Sequence, residues 1–197
     1  MSAPPKTVLH ATPQEEAAIR AAVRAARDHV AGPQDVPGLT RLLADPRVSD
    51  PIYDLPRPIT EENVARWVAE SAVLTEKGEC LLSVNRDEAG EISGYSRITI
   101  WPERSSAELA GATRADRQNS GQGRLGVARS IARIFEDLGV RLIGLTAALD
   151  NVRSAAAIDG AGFTRMGKRE SLRPDGSPRR SLYWEMTREE WTLRHRL

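Results

Sequence analysis

Cysteine is nearly absent. Cys80 is the only one in 197 residues, which excludes an intrachain disulfide and any cysteine-built metal cluster and points to a reducing compartment. Set in Gly78-Glu79-Cys80-Leu81-Leu82, it reads as a small strand residue rather than a nucleophile. Histidine is equally scarce: His10, His29 and His195 are scattered, so neither a histidine metal site nor a Ser/His/Asp arrangement is easily assembled, and no metal is expected. Charge of one sign is also lacking. The 28 lysines and arginines almost balance 27 aspartates and glutamates, and no basic run is interleaved with aromatics, so no nucleic-acid footprint is visible. No apolar stretch approaches the roughly 20 residues that a membrane helix needs, and Met1-Ser2-Ala3-Pro4-Pro5-Lys6 lacks the apolar centre of a signal peptide. The expectation is a soluble cytoplasmic protein that uses neither membrane nor nucleic acid.

What the chain does have is an ordinary apolar share, 40%, enough to build a core at this length, and no repeat or low-complexity linker divides it. One domain over residues 1–197 is expected. Residues 7–12 suit a first strand, and Thr12-Pro13-Gln14-Glu15 announces a helix reaching about Asp28, with a capping threonine, a first-turn proline and a glutamate three positions on. Residues 29–59, rich in proline, glycine and aspartate, read as loops around one brief helix at 39–43. Thr60 then caps a helix with Val64, Trp67 and Val68 on one face. Three strands follow at 79–86, 92–101 and 106–114, the first two joined through Asp87-Glu88-Ala89-Gly90-Glu91. In the second, Ser93, Tyr95, Arg97, Thr99 and Trp101 alternate with Ile92, Gly94, Ser96, Ile98 and Ile100 and so share a face. Residues 141–149 form a mostly apolar run suited to a buried strand, a helix begins after Asn151, and two strands joined through 173–178 close the chain.

The most informative segment is Gln118-Asn119-Ser120-Gly121-Gln122-Gly123. It precedes an amphipathic helix in which Val127, Ala128, Ile131, Ile134, Phe135 and Leu138 form a stripe, Arg124, Arg129, Arg133 and Glu136 lie off it, and Gly139 ends it. Glycines let backbone approach an anion closely, and the free amides at the helix start, aided by the helix dipole, suit a pyrophosphate. Gly121-Gln122-Gly123-Arg124-Leu125-Gly126 is also a literal G-x-G-x-x-G, and Asp150 ends the next strand, as a dinucleotide site would require. Against that reading, Ala115-Asp116-Arg117-Gln118-Asn119-Ser120 separates the motif from its strand, the preceding strands look antiparallel, and the chain after Asp150 is too short for a second mononucleotide half.

The antiparallel meander, a Gln118-x-x-Gly121-x-Gly123 loop, a helix, a strand and an Asn151-led helix together resemble the GNAT superfamily of N-acetyltransferases. Phe135-Glu136-Asp137-Leu138-Gly139-Val140, Asn151-Val152-Arg153-Ser154, Gly162-Phe163, Leu182-Tyr183-Trp184-Glu185-Met186-Thr187 and Glu190-Trp191 are similar to its ribosomal-protein N-terminal acetyltransferase (RimJ/RimL-like) branch. Similarity is strongest over residues 108–191; the N-terminal third fits through its helices and Thr60-Glu61-Glu62-Asn63-Val64-Ala65-Arg66-Trp67. The resemblance implies an α+β fold: a central, mostly antiparallel twisted sheet of about seven strands, splayed between the fourth and fifth, with helices on both faces. It implies an acetyl-CoA donor, a protein N-terminus or small-molecule amine as acceptor, and direct attack by the neutral amine without a metal. The amides of Asn119, Ser120, Gly121, Gln122, Gly123 and Arg124, with Gln118, would hold the pyrophosphate; backbone groups of Gly111, Ala112 and Thr113 would pair with the pantetheine, and Asn151 would contact the cofactor while capping its helix. Glu108 matches the family's general-base glutamate within about one residue, and its other reading is an exposed strand-end carboxylate. The tyrosine acid of many relatives is replaced by Ile158, which keeps a non-catalytic acyl-CoA-binding module in view. Ser154 stands near the expected leaving sulfur or supports the Asn151 cap. Arg124 and Arg129 either meet phosphates or form a solvated face, and Trp67 and Trp184 suit the core. Tyr95, Arg97, Trp101, Tyr183 and Glu185 would line an acceptor groove if their strand faces converge, and the C-terminal strands are a candidate surface for a homodimer.

Overall fold

In the computed structural model, which describes residues 3–26, 28–117, 122–173 and 175–195 and only the backbone at 122–124 and 195, Thr12 opens helix α1 (Pro13–Ala25) with the capping box that its spacing predicts. Its hydroxyl accepts the Glu15 amide at 3.2 Å while Glu15 accepts the Thr12 amide at 2.8 Å. The helix stops short of Asp28 because the chain must reach the sheet: His29 takes a left-handed φ of 59°, and Val30 bridges to Ser83. Helices α2 (Val36–Leu43) and α3 (Pro46–Ser49) occupy part of the segment read as loop, and α4 (Glu61–Lys77) is capped by Thr60, as expected.

Strands β1 (Cys80–Arg86), β2 (Ile92–Trp101) and β3 (Ser106–Thr113) form the antiparallel meander. Helix α5 (Gln122–Ala132) continues into a wider π turn at Arg133–Asp137 and leads to β4 (Leu142–Ala148). Helix α6 (Val152–Gly160), β5 (Thr164–Leu172), β6 (Pro178–Thr187) and α7 (Arg188–His195) complete the order. The sheet runs β1-β2-β3-β4-β6-β5, with every neighbour antiparallel except β3 and β4. That topology overturns the dinucleotide reading, which needs successive parallel strands.

Six strands are described rather than about seven, because residues 7–12 form no strand and do not join the sheet. Their polar groups are met largely by distant side chains: Glu185 accepts the Thr7 amide, Arg104 donates to the carbonyl of Thr7, and Arg141 donates to that of His10. Strand numbering shifts accordingly, and the expected splay falls between the third and fourth strands.

The alternation in β2 sorts the core into two layers. Ile98 and Ile100 face Ile19 and Val23 of α1 and the buried Ile131, Ile134, Phe135 and Leu138 after the loop. Tyr95 faces the other way, among Leu39 and Leu43 of α2 and Val64, Trp67 and Val68 of α4. Helices therefore cover both faces. The π turn keeps Ile134 and Phe135 buried, whereas the first part of the predicted stripe is bare: Val127 is 42% exposed and Ala128 is exposed. Within the described residues no helix is long and apolar enough to cross a membrane.

Strands β2 and β3 cross very closely at Gly111. A Cβ there would sit 2.5 Å from the Tyr95 carbonyl oxygen, a backbone atom that cannot swing aside. Gly111→Ala is therefore expected to cost about 1–3 kcal/mol of stability through overpacking, measurable by urea unfolding; an unchanged midpoint would mean that the strands part at no cost.

Candidate active site

The site is set by how briefly β3 and β4 pair. Ser106, Ala107 and Glu108 oppose Leu142, Ile143 and Gly144, and no further pairing follows. Arg114 donates its amide to Ser93 at 2.8 Å. By the two-residue period, Ala112 and Ala110 also turn their main-chain groups towards β2, while Leu109, Gly111 and Thr113 turn theirs towards the side from which β4 has parted. Of the three residues expected to offer backbone to a pantetheine, Gly111 and Thr113 therefore face the gap and Ala112 faces β2.

Glu108 occupies the last paired position. It is 7% exposed, which overturns the exposed strand-end reading, and it lies opposite Thr99 on the α2–α4 side of the sheet. The Tyr53 hydroxyl lies 3.3 and 3.4 Å from its two oxygens. Tyr53 was hidden in the segment read as loop; the signal was a lone aromatic in Pro51-Ile52-Tyr53-Asp54-Leu55-Pro56.

A second carboxylate, Glu185, lies across Gly144 on the same face, because β4 pairs Gly144 with both Glu108 and Glu185. It is differently held. Thr7 donates its amide at 3.0 Å and its hydroxyl, and the Tyr183 hydroxyl donates at 2.6 Å. Burial alone would raise this carboxyl, but these bonds outweigh it and keep the group below the ordinary value of 4.5. Burial, reinforced by the Glu185 hydrogen bond, pushes the Tyr183 hydroxyl well up, so the proton stays on the tyrosine. Glu185 is thus a poor base and Tyr183 a poor acid. Both are buried beneath the N-terminal segment, where Lys6 donates its amide to Tyr183, so they do not line an open groove as expected.

This pairing carries a pH dependence. A carboxyl whose folded value lies below its unfolded one adds stability above the unfolded value of about 4.3 and loses it as pH falls through the folded value. Glu185→Gln should therefore destabilise the protein by about 1–3 kcal/mol at pH 7, with the gap to wild type closing below about pH 4. Urea midpoints at the two pH values test this, and a gap independent of pH would show that packing rather than charge is lost.

The other expected groove residues divide. Tyr95 is buried edge-on against Trp67, ring centroids 5.5 Å apart, and burial raises its hydroxyl. Arg97 and Trp101, with Thr99, Trp67, Asp54 and Asn63, line a cavity of about 440 Å³. In it Arg97 meets Asp54 at 3.3 Å. Trp67 is thus both core and cavity wall, while Trp184 is wholly buried.

On the far side of the gap, Asn151 caps α6 by accepting the Ser154 amide at 3.1 Å, so the Ser154 backbone serves the cap. Ile158 packs against the core and Arg129 is exposed. Gln118, Asn119, Ser120 and Gly121 lie outside the described residues; Gln122, Gly123 and Arg124 begin the backbone of α5. Cys80 is fully buried, and burial pushes its thiol up, as suits an inert strand residue.

The sheet is mostly antiparallel and parts beside one short parallel pairing, with α5 the next α-helix in the chain after β3. Residues 29–164 match the family described as the acetyltransferase (GNAT) domain, and the chain belongs to that family. No curated protein matches the sequence. Among solved structures of the same fold, the ribosomal-protein-S5-alanine acetyltransferase from Vibrio fischeri is 15% identical with a TM-score of 0.70, covering 82% of this chain and 92% of its own. Mycobacterium smegmatis RimJ, solved in complex with CoA-disulfide, is 19% identical with a TM-score of 0.70, covering 82% and 81%. A spermidine N-acetyltransferase from Vibrio cholerae is 16% identical with a TM-score of 0.68, covering 84% and 97%.

Proposed function

We propose that this chain is a single-domain acetyl-CoA-dependent N-acetyltransferase acting on a primary amine by direct attack, with Glu108 as the base. The observation that carries the reading is the position of Glu108: buried, bonded to Tyr53, and at the last β3–β4 pair before the sheet opens. Its competitor Glu185 is already committed to Thr7 and Tyr183. The backbone groups of Leu109 and Gly111 on the open side fit a pantetheine arm, and the sequence Gln118-Asn119-Ser120-Gly121 leading into α5 would supply its pyrophosphate site. The RimJ of this fold binds a CoA species, which supports the same donor here.

When bound, acetyl-CoA would supply a thioester whose acetyl carbon forms a bond to the amine nitrogen as the C–S bond breaks, the proton lost by that nitrogen passing to the sulfur so that CoA leaves as the thiol. Glu108 takes the ammonium proton, directly or through one water. Backbone amides at the parted strands would hold the developing oxyanion. Asn151 fixes the start of α6 beside the gap, and Ser154 stands next to it on the first turn. The acceptor is an amine presented from the Glu108 face, either a protein N-terminus or a small molecule.

Calorimetric titration with acetyl-CoA, CoA and reduced nicotinamide cofactor, followed by CoA release with a panel of amines, tests the reading. Micromolar binding of the CoA species alone and release that depends on an amine are expected. Binding without release for any amine would favour the non-catalytic module, and absent CoA binding would overturn the donor site.

A further inference from the structure

Arg179 stands on β6 two pleats before Tyr183, on the face shared with Glu185. It is 8% exposed, and its guanidinium lies over the Tyr53 ring, 5.0 Å from the centroid. The hydroxyl of that same ring meets Glu108. A guanidinium removed from water is ordinarily answered by a carboxylate, as Asp54 answers Arg97 at 3.3 Å.

Arg179 has no such answer. Every aspartate and glutamate side chain of the protein lies among the described residues, and none comes within ion-pair distance of it. Asp54 and Asp150 are close enough to favour its charge, but Asp54 is engaged by Arg97 and Asp150 is exposed after β4. Stacking on Tyr53 satisfies one face of the guanidinium, and no carboxylate among the described residues meets its in-plane donors. One pleat along, Ser181 is wholly buried and its hydroxyl also lacks a partner among the described residues. A largely buried cation without a carboxylate partner and a buried hydroxyl without a hydrogen-bond partner, both among the described residues, thus stand one tyrosine away from the proposed base.

We infer that Arg179 is a specificity residue and that the acceptor is an amino carboxylate, its amine facing Glu108 and its carboxylate held by Arg179 with support from Ser181. The inference rests on the acetyltransferase reading. It makes cationic polyamines and aminoglycosides poor acceptors, because a second ammonium would face the guanidinium.

The test measures CoA release from acetyl-CoA with free amino acids, their carboxamides, spermidine, and peptides of matched sequence bearing aspartate or asparagine beside the N-terminus. Wild type should prefer a carboxylate to its matched carboxamide by about 10- to 100-fold in kcat/KM, the range of one charged hydrogen-bonded contact. The free-acid and peptide arms show which source supplies that carboxylate. Arg179→Gln should erase the preference by raising KM for the carboxylate alone, and Arg179→Lys should restore part of it; a purely structural role would depress both members of a pair alike. Equal use of the pair by wild type, or a preference for spermidine, overturns the inference and leaves acetyl transfer standing. Absent acetyl-CoA binding, or binding without release for any amine, overturns both.

Discussion

Glutamine in place of Glu108 is expected to lower kcat for amine acetylation by about 10²- to 10⁴-fold at neutral pH, the usual contribution of a positioned general base, while acetyl-CoA affinity is unchanged. The split follows from the register. The Glu108 side chain points to the α2–α4 face with Thr99, whereas the backbone groups proposed to hold the donor lie on the open edge beyond it, at Leu109 and Gly111. Glutamine keeps the volume and one acceptor for the Tyr53 hydroxyl, so the pocket is conserved and only the proton acceptor is lost. Steady-state kinetics and calorimetry on the variant measure the two quantities separately. Unchanged turnover would sink the assignment and leave water as the base, since Glu185 is held in its ionised form by Thr7 and Tyr183.

The largest loss of stability is expected from Trp184→Ala, at about 3–5 kcal/mol. The indole is 0% exposed, opposite Leu145 on β4, in the layer built with Phe135 and Met186. Its Nε1 donates to Asp159 at 2.8 Å, and Arg165 both stacks over the ring at 5.5 Å and pairs with Asp159 at 2.6 Å. Truncation therefore opens a large cavity and removes one of the two groups that hold Asp159 ionised, the first being Arg165. Because a domain has only about 5–15 kcal/mol in total, the variant should unfold at much lower urea concentration; a loss under about 1 kcal/mol would mean that the layer collapses to fill the space.

Local signals were read where local physics decides. Thr12 and Thr60 cap helices because hydroxyl and acidic residues fall at the required steps, with a first-turn proline as well after Thr12, and Asp87 to Glu91 turns between strands whose alternation was visible. Helix α7 had the same kind of signal, since Thr187 and Glu190 form a capping box, with the Glu190 amide donating to Thr187 at 3.2 Å. It was masked by the strand-like run before it. Long-range choices left no such trace. Residues 7–12 have a strand's composition, but their hydrogen bonds go to Glu185, Arg104 and Arg141, far along the chain. Tyr183 and Glu185 alternate as groove residues would, and are instead roofed by Lys6 and Thr7. In the site, Glu108 was legible from its position before the loop, whereas Tyr53 joins it across 55 residues and Arg179 from further still.

The brevity of the β3–β4 pairing also has a mechanical meaning. The strands form two three-membered blocks, β1-β2-β3 and β4-β6-β5, riveted by three residue pairs. A ligand lying along the unriveted edge would serve as the missing strand between the blocks, so binding it and clamping the molecule are the same event. Affinity then registers directly as resistance to unfolding, in proportion to the logarithm of ligand concentration over Kd, and thermal melting becomes a binding assay for any compound that reaches across the gap.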